Sequence, residues 1–86
     1  MNNSRNKPTS YLNVVSDKIK YYRTLNNWSY EELSAKLMIL GIDIHKQSLY
    51  KIETGQRTVV DYELCAFAKC FKVTLDELLC EYMKKL

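Results

Sequence analysis

Apolar side chains recur every three or four residues through most of the chain, which is the spacing of amphipathic helices. The pattern predicts five helices joined by short loops, and therefore an all-α domain with helix-turn-helix connectivity. The expected apolar positions, helix by helix, are Val15, Ile19, Tyr22 and Leu25; Leu33, Leu37 and either Met38 or Leu40; Leu49 and Ile52; Leu64, Phe67, Ala68 and Phe71; and Leu75, Leu78, Leu79, Tyr82, Met83 and Leu86. The isoleucines of the connection at 42–44 should pack under the neighbouring helices.

Capping and stop residues indicate where these helices begin and end. Hydroxyl residues followed three positions later by Glu are typical of a capping box, and Gly after a helix supplies the positive φ at which many helices stop. The expected signals are the capping boxes Ser29–Glu32 and Thr74–Glu77, the N-caps Asp43 or His45 and Asp61, and the stop residues Asn26, Asn27, Gly41 and Gly55.

Composition fits one small helical domain. The 86 residues are 47% hydrophobic and include only two Gly and one Pro, which argues against disorder and against an all-β fold. Residues 1–10 are polar and contain Pro8, so we expect a flexible arm at 1–12 before a domain at 13–86. Arg5 and Lys7 in that arm could touch DNA, although a solvent-exposed tail is the simpler interpretation. No membrane-length apolar run or secretion signal is visible, which predicts a cytoplasmic protein without membrane contact.

The sequence offers little support for catalysis or metal binding. Cys65, Cys70 and Cys80 lack a compact spacing and are predicted to be reduced core residues. A zinc site made from them and His45 would lack the usual C-x-x-C spacing, so we expect no metal and no cofactor. Because there is also no paired carboxylate set, no nucleophile with a base and no Gly-rich phosphate loop, we do not expect an enzyme.

Residues 45–58 carry the most informative chemistry. Helix 3, expected at about 46–54, should bury Leu49 and Ile52 on one side. Its outward face should carry Lys46, Gln47, Tyr50, Lys51 and Thr54. Long hydrogen-bonding and cationic side chains of this kind read base edges and phosphates in a major groove. Taken singly, each lysine could be an ordinary solubilising charge and the tyrosine a cover for apolar surface, but their convergence on one face favours DNA binding.

The charge distribution agrees with a DNA-facing front half. The net charge is only +3, but residues 1–57 hold nine Lys and Arg against five Asp and Glu, whereas residues 58–86 hold four against five. A basic half and a neutral half suit a domain that faces phosphates on one side and protein on the other.

Several motifs between about residues 19 and 79 match a known pattern in combination. They are Arg23, Ser29-x-x-Glu32-Leu33 with Leu37, Ser48-Leu49-x-x-Ile52-Glu53-x-Gly55-x-Arg57, Leu64-x-x-x-Ala68, and Val73-x-x-Asp76-x-Leu78-Leu79. Together they resemble the helix-turn-helix family of phage-type repressors, which includes lambda repressor, Cro and the Xre regulators. The resemblance implies a five-helix lambda-repressor-like domain that binds double-stranded DNA and regulates transcription.

The resemblance also implies roles for individual residues. It puts Lys46, Gln47, Tyr50 and Lys51 at base-reading positions, Ser48 at a base or phosphate position, and Tyr30 where the family often has a phosphate-binding Gln. It implies an ion pair between Arg23 and Glu53 that holds helix 3 against helix 1. The remaining candidate DNA contacts are Ser29, His45, Thr54 and Arg57, the last expected to be exposed.

One segment departs from the family pattern. The connection from helix 2 to helix 3 is about five residues longer, with 38–42 as the additional stretch. A longer connection would alter the angle at which helix 3 meets the groove.

We therefore predict a sequence-specific repressor that binds a palindromic operator as a homodimer. Tyr82, Met83 and Leu86 are the expected dimer surface, because they exceed what one small core needs. Two alternatives stay open at this point. One is an antitoxin or mobile-element regulator that also binds a partner protein, and the other is a protein-interaction module that has kept the fold and lost DNA binding.

Overall fold

The computed structural model describes residues 15–85, with the backbone alone at 81–83 and 85. This part of the chain forms α1 (Ser16–Leu25), α2 (Tyr30–Ile39), α3 (Lys46–Glu53), α4 (Asp61–Phe71) and α5 (Leu75–Lys85). The predicted all-α fold is confirmed. None of the described helices is long and apolar enough to cross a membrane. The predicted arm at 1–12, the start of the domain at 13, Leu86, and the side chains of Tyr82 and Met83 lie outside what the structure describes.

Helices α1 to α4 all end in the same way. A residue with a positive φ follows each helix within two positions: Asn27 (60°), Gly41 (85°) and Gly55 (77°) are the second residues after α1, α2 and α3, and Lys72 (61°) is the first after α4. The next amide then donates back to the carbonyl five residues earlier, as from Ile42 to Leu37 at 3.0 Å, which is a Schellman motif. The predicted stops after α1, α2 and α3 are confirmed, whereas the left-handed Lys72 was not predicted.

The predicted capping boxes are both present, and of the two residues predicted as the N-cap of α3, His45 occupies that position, whereas the predicted cap Asp61 is wrong. Asp43 does not cap α3; His45 occupies the N-cap position, and its imidazole makes no capping hydrogen bond within the described residues. Asp61 is the first residue of α4 and not its cap, and its carboxylate accepts the neighbouring Tyr62 N–H. The start of α4 is instead closed by Glu63, which accepts the backbone N–H of Val60 at 3.1 Å.

The capping boxes stabilise the starts of α2 and α5 as expected. Ser29 Oγ accepts the Glu32 N–H at 3.1 Å, and Glu32 accepts the Ser29 N–H at 2.8 Å. Thr74 and Glu77 exchange the same pair of bonds at 3.1 and 2.8 Å. Each box satisfies two amides that a helix start leaves without an intrahelical acceptor.

The core is assembled from one side of each helix. Its fully buried apolar side chains are Ile19, Leu33, Leu37, Ile44, Leu49, Ile52, Phe67 and Leu78. Four predicted core positions are exposed instead: Leu25, Met38, Leu40 and Leu75. Each lies in the first or last turn of a helix or just beyond it, where helical phase no longer ensures that a neighbour covers the side chain. The connection behaves partly as predicted, since Ile44 is buried and Ile42 is half-buried.

The cysteines are thiols, as predicted, but they are not core residues. Cys65 is exposed, and Cys70 and Cys80 are half-buried. Partial burial raises the pKa of the Cys70 thiol. Because Cys65 lies on the solvent side of α4, its apolar sequence neighbours misled the prediction.

Candidate nucleic-acid interface

The two faces of α3 differ sharply in burial. Leu49 and Ile52 are fully buried against α1 and α2, whereas the opposite side is in solvent. The outer face of α3 comprises Lys46, Gln47, Tyr50, Lys51 and the C-capping Thr54, all of them exposed. Ser48 is half-buried at the edge of this face. The candidate base-reading side chains therefore share one accessible surface.

Two serine hydroxyls attach α3 to its neighbours at both ends. Ser34 Oγ on α2 donates to the carbonyl of Ile44, just before α3, at 2.6 Å. Ser16 Oγ on α1 donates to the carbonyl of Ile52, in the last turn of α3, at 2.6 Å. A helix of eight residues is unstable alone, so these bonds help to hold it. Sequence reasoning missed both serines.

An ion pair joins α1 to the C-terminal end of α3. Arg23 donates from Nε to Glu53 Oε2 at 2.6 Å and from Nη2 to Oε1 at 3.1 Å. Only 2% of the Glu53 side chain and 14% of the Arg23 side chain are exposed. The hydrogen bond to Glu53 raises the pKa of Arg23, against the opposing effect of burial. The pair implied by the family resemblance is thus present in the structure.

Tyr30 extends this ion pair into a three-helix network. Its hydroxyl donates to Glu53 Oε1 at 3.0 Å, and the Arg23 guanidinium carbon lies 4.3 Å from the centre of its ring. Burial, followed by the bond to the Glu53 carboxylate, raises the pKa of the phenol. The ring also meets Tyr50 edge-on, with ring centres 6.3 Å apart. In this structure the Tyr30 proton is bonded to Glu53, so the residue links α2 to α3 and does not present a free donor for phosphate.

Arg57 departs from its predicted exposure. It donates from Nη1 and Nη2 to the two carboxylate oxygens of Glu63, at 3.1 and 3.0 Å, and is only half-exposed. Burial disfavours the charged form of Glu63, but the bonds from Arg57 and from the Val60 N–H outweigh it, so the pKa of Glu63 lies below its ordinary value. Sequence reasoning missed Glu63, although a glutamate at the third position of a helix is a recognisable signal.

Three other candidate contacts, Lys46, His45 and Thr54, are exposed. Lys46 Nζ lies 3.1 Å from Glu31 Oε2 in a solvent-exposed ion pair, and His45 is exposed at the start of α3. Thr54 Oγ donates to the carbonyl of Tyr50 at 2.9 Å and accepts the Gln56 amide at 2.7 Å. No group of three or more His, Cys, Asp or Glu that could hold a metal occurs among the described residues.

Comparison with known proteins agrees with this arrangement. A protein-family model described as helix-turn-helix matches residues 19–78, more than two thirds of the chain. No curated protein and no solved structure gives a significant match. The matched region begins at Ile19 in α1 and ends at Leu78 in α5, so it includes α2, α3 and the connection between them.

Proposed function

Because this chain belongs to the helix-turn-helix family of DNA-binding regulators, we propose that it is a sequence-specific repressor that reads the major groove with α3 as a homodimer. The observation that supports this most directly is the outer face of α3, which is exposed along its whole length and carries a polar group on every side chain. The buried side of the same helix is fixed to α1 and α2 by packing and by the network around Glu53.

We assign base reading to the long side chains at the centre of the outer face of α3. The Gln47 amide can donate to and accept from the adenine edge, and Lys51 can donate to guanine. The Tyr50 ring offers an apolar edge for a thymine methyl group. Each well-formed contact of this kind discriminates by about 1–3 kcal/mol against the wrong base.

Phosphate contacts are proposed around the rim of the reading surface. Lys46 and His45 lie at the start of α3, where free amides and the helix dipole favour an anion. The remaining rim positions are Ser29, Ser48, Thr54 and Arg57. Such contacts fix register on the duplex without reading sequence, so removing one should weaken binding to all duplexes alike.

Dimerisation follows from how little DNA one short helix can contact. Two-fold pairing would put two copies of α3 in successive major grooves, roughly 34–36 Å apart. We propose α5 as the dimer element, with Tyr82, Met83 and Leu86 as the apolar surface. Tyr82→Ala or Met83→Ala should shift the protein toward monomer in sedimentation experiments, and a dimer unaffected by both changes contradicts this assignment.

The central experiment is selection of duplexes from a random library at two salt concentrations. The parent should enrich a roughly palindromic site and bind it less tightly as salt rises, because phosphate contacts release counterions. Gln47→Ala/Lys51→Ala should lower affinity for that site at least about tenfold. Lys20→Ala, which removes one exposed positive charge from α1, is the control and should bind nearly as the parent does.

If no site is enriched and the double variant behaves like its parent, the proposal is wrong. The chain would then be a protein-interaction module that retains the fold without DNA binding.

A further inference from the structure

A second concave surface lies between the C-terminal end of α2 and the outer side of α4. Two neighbouring hollows share Leu40 and Lys69 in their linings and are together called the α2–α4 groove. Ile39 lines one end of it and Tyr62 the other. Because successive helical residues are about 100° apart, α2 turns Ile39 and Leu40 to a different side from Met38, which lines the hollow next to α3. The groove is therefore separate from the outer face of α3.

The groove is shallow, and its apolar floor is largely exposed to solvent. Ile39 is 84% exposed and Tyr62 is 62% exposed, with Leu40 between them at 38%. Single exposed apolar residues are common, but several that line one concavity indicate a binding surface. Ile39 and Leu40 belong to the stretch at 38–42 that is expected from the sequence to be additional to the family pattern; Ile39 is the last residue of α2 and Leu40 follows it.

The rim of the groove carries charge of one sign. Lys36, Lys69 and Lys72 all line it, and no Asp or Glu of the described chain lines either hollow. Lys36 Nζ lies 4.6 Å from the centre of the Trp28 ring, so the indole holds one ammonium at the edge of the depression. Three cations around an apolar floor favour an occupant that combines carboxylates with apolar side chains.

We propose that the α2–α4 groove docks an acidic amphipathic helix of a partner protein. Apolar side chains spaced three and four residues apart would enter the floor, while Asp and Glu at the flanks would meet the lysine rim. A second copy presenting the same groove would oppose lysines with lysines, and the first twelve residues of this chain contain Arg5 and Lys7 but no acidic residue. The proposal goes beyond DNA binding and does not depend on it.

The test uses two matched display libraries of helical peptides about 15 residues long, roughly four turns. Both have the same apolar stripe, but one has Asp and Glu at its flanking positions and the other has Lys and Arg. The full chain should enrich peptides from the acidic library only. Fluorescence anisotropy with the best peptide should then show at least about tenfold weaker binding to Ile39→Ser and to Lys69→Glu/Lys72→Glu.

Matched controls separate the groove from general surface effects. Leu25→Ser replaces an exposed apolar residue at the last position of α1, as Ile39→Ser does in α2. Lys20→Glu reverses an exposed charge on α1. Both control variants should bind the peptide as the parent does. Circular dichroism and urea unfolding check that each variant is folded. Lys69→Glu/Lys72→Glu should further gain affinity for peptides with basic flanks, which simple loss of folding cannot produce.

Three results would overturn the proposal. The first is enrichment of peptides from the basic library, or from neither library. The second is an acidic peptide that binds the groove variants as tightly as it binds the parent, and the third is self-association of the parent that Ile39→Ser abolishes. The last would make a second copy the occupant. Since no duplex is present, these results are independent of whether α3 reads DNA.

Discussion

The two Arg–Glu pairs of this domain have nearly the same chemistry and different consequences. Arg23 with Glu53 and Arg57 with Glu63 both join a guanidinium to a buried carboxylate through two hydrogen bonds. The first pair connects residues 30 positions apart, on α1 and α3, whereas the second connects residues only six apart. The first therefore fixes the relation between two helices, and the second fixes how a loop enters α4.

This difference separates stability from DNA binding. A change in the Arg23–Glu53 pair should alter the orientation of α3 as well as the free energy of unfolding, because Tyr30 bonds to Glu53 and its ring contacts the exposed Tyr50. A change in the Arg57–Glu63 pair acts on the loop at 56–60 and on the start of α4. Variants of the two pairs should therefore be distinguishable by affinity for the selected duplex even at matched stability.

The largest effect is expected from Glu53→Ala. It leaves Arg23, with 14% of its side chain exposed, and the Tyr30 hydroxyl without their shared acceptor. Loss of one partner of a buried pair costs about 3–5 kcal/mol, which should be visible as a much lower urea midpoint. Replacement of both partners by apolar side chains, in Arg23→Met/Glu53→Leu, should recover most of that loss. A loss below about 1 kcal/mol would mean that the pair contributes no more than an exposed one.

A smaller, pH-dependent effect is expected from Glu63→Gln. The pKa of Glu63 lies below its ordinary value of 4.5, so its ionised form adds stability above that pH, and this contribution is lost as pH falls through the lower pKa of the folded state. At pH 7 the variant should be less stable by about 1–3 kcal/mol, because it weakens two charge-assisted hydrogen bonds. Urea unfolding between pH 7 and pH 3 should show the gap to the parent narrowing with acid. A gap that stays constant over this range would contradict the role of ionisation.

Tyr30→Phe should cost less, about 1 kcal/mol, because it removes one of three hydrogen bonds to Glu53 and keeps the aromatic ring. Affinity for the selected duplex should fall as well if Tyr30 orients Tyr50. Tyr62→Phe removes an exposed hydroxyl and serves as the control for urea unfolding. If the two variants were equally stable, the Tyr30 hydroxyl would not contribute to the stability of the network.

The smallest effect is expected from Glu31→Ala, which removes the exposed partner of Lys46. With 75% of the Glu31 side chain and 53% of the Lys46 side chain in solvent, the free energy of unfolding should change by less than about 0.5 kcal/mol. Urea unfolding at low and high salt checks this. If Glu31→Ala lowered the free energy of unfolding as much as Glu63→Gln, burial would not explain the different contributions of the Glu31–Lys46 and Arg57–Glu63 pairs.

Much of the fold was predictable because it depends on local signals. Helical periodicity located all five helices of the described chain, and the capping boxes and the stops at Asn27, Gly41 and Gly55 were recognisable from sequence. Leu25 and Leu75 were misassigned to the core because periodicity gives the direction of a side chain and not the neighbour that covers it. At a helix end that neighbour is set by tertiary packing.

The candidate site was only partly predictable for a similar reason. The outer face of α3 follows from spacing alone, but the partners of its supporting residues lie far away in sequence. Nothing near Ser16 or Ser34 indicates that each hydroxyl meets a carbonyl next to or within α3. The Arg23–Glu53 pair was expected only through family resemblance, and Arg57 was expected to be exposed because Glu63 was not recognised as its partner.

The serine attachments at both ends of α3 bear on the thermodynamics of recognition. Since this helix cannot persist without α1 and α2, its amides should exchange with solvent through global unfolding and not through local fraying. A reading surface that is already ordered has little conformational entropy left to lose when it meets a duplex. It also cannot readily reshape itself around a mismatched base pair. If the outer face of α3 reads DNA as proposed, the two hydroxyl groups should favour selectivity as well as affinity, although neither belongs to that face.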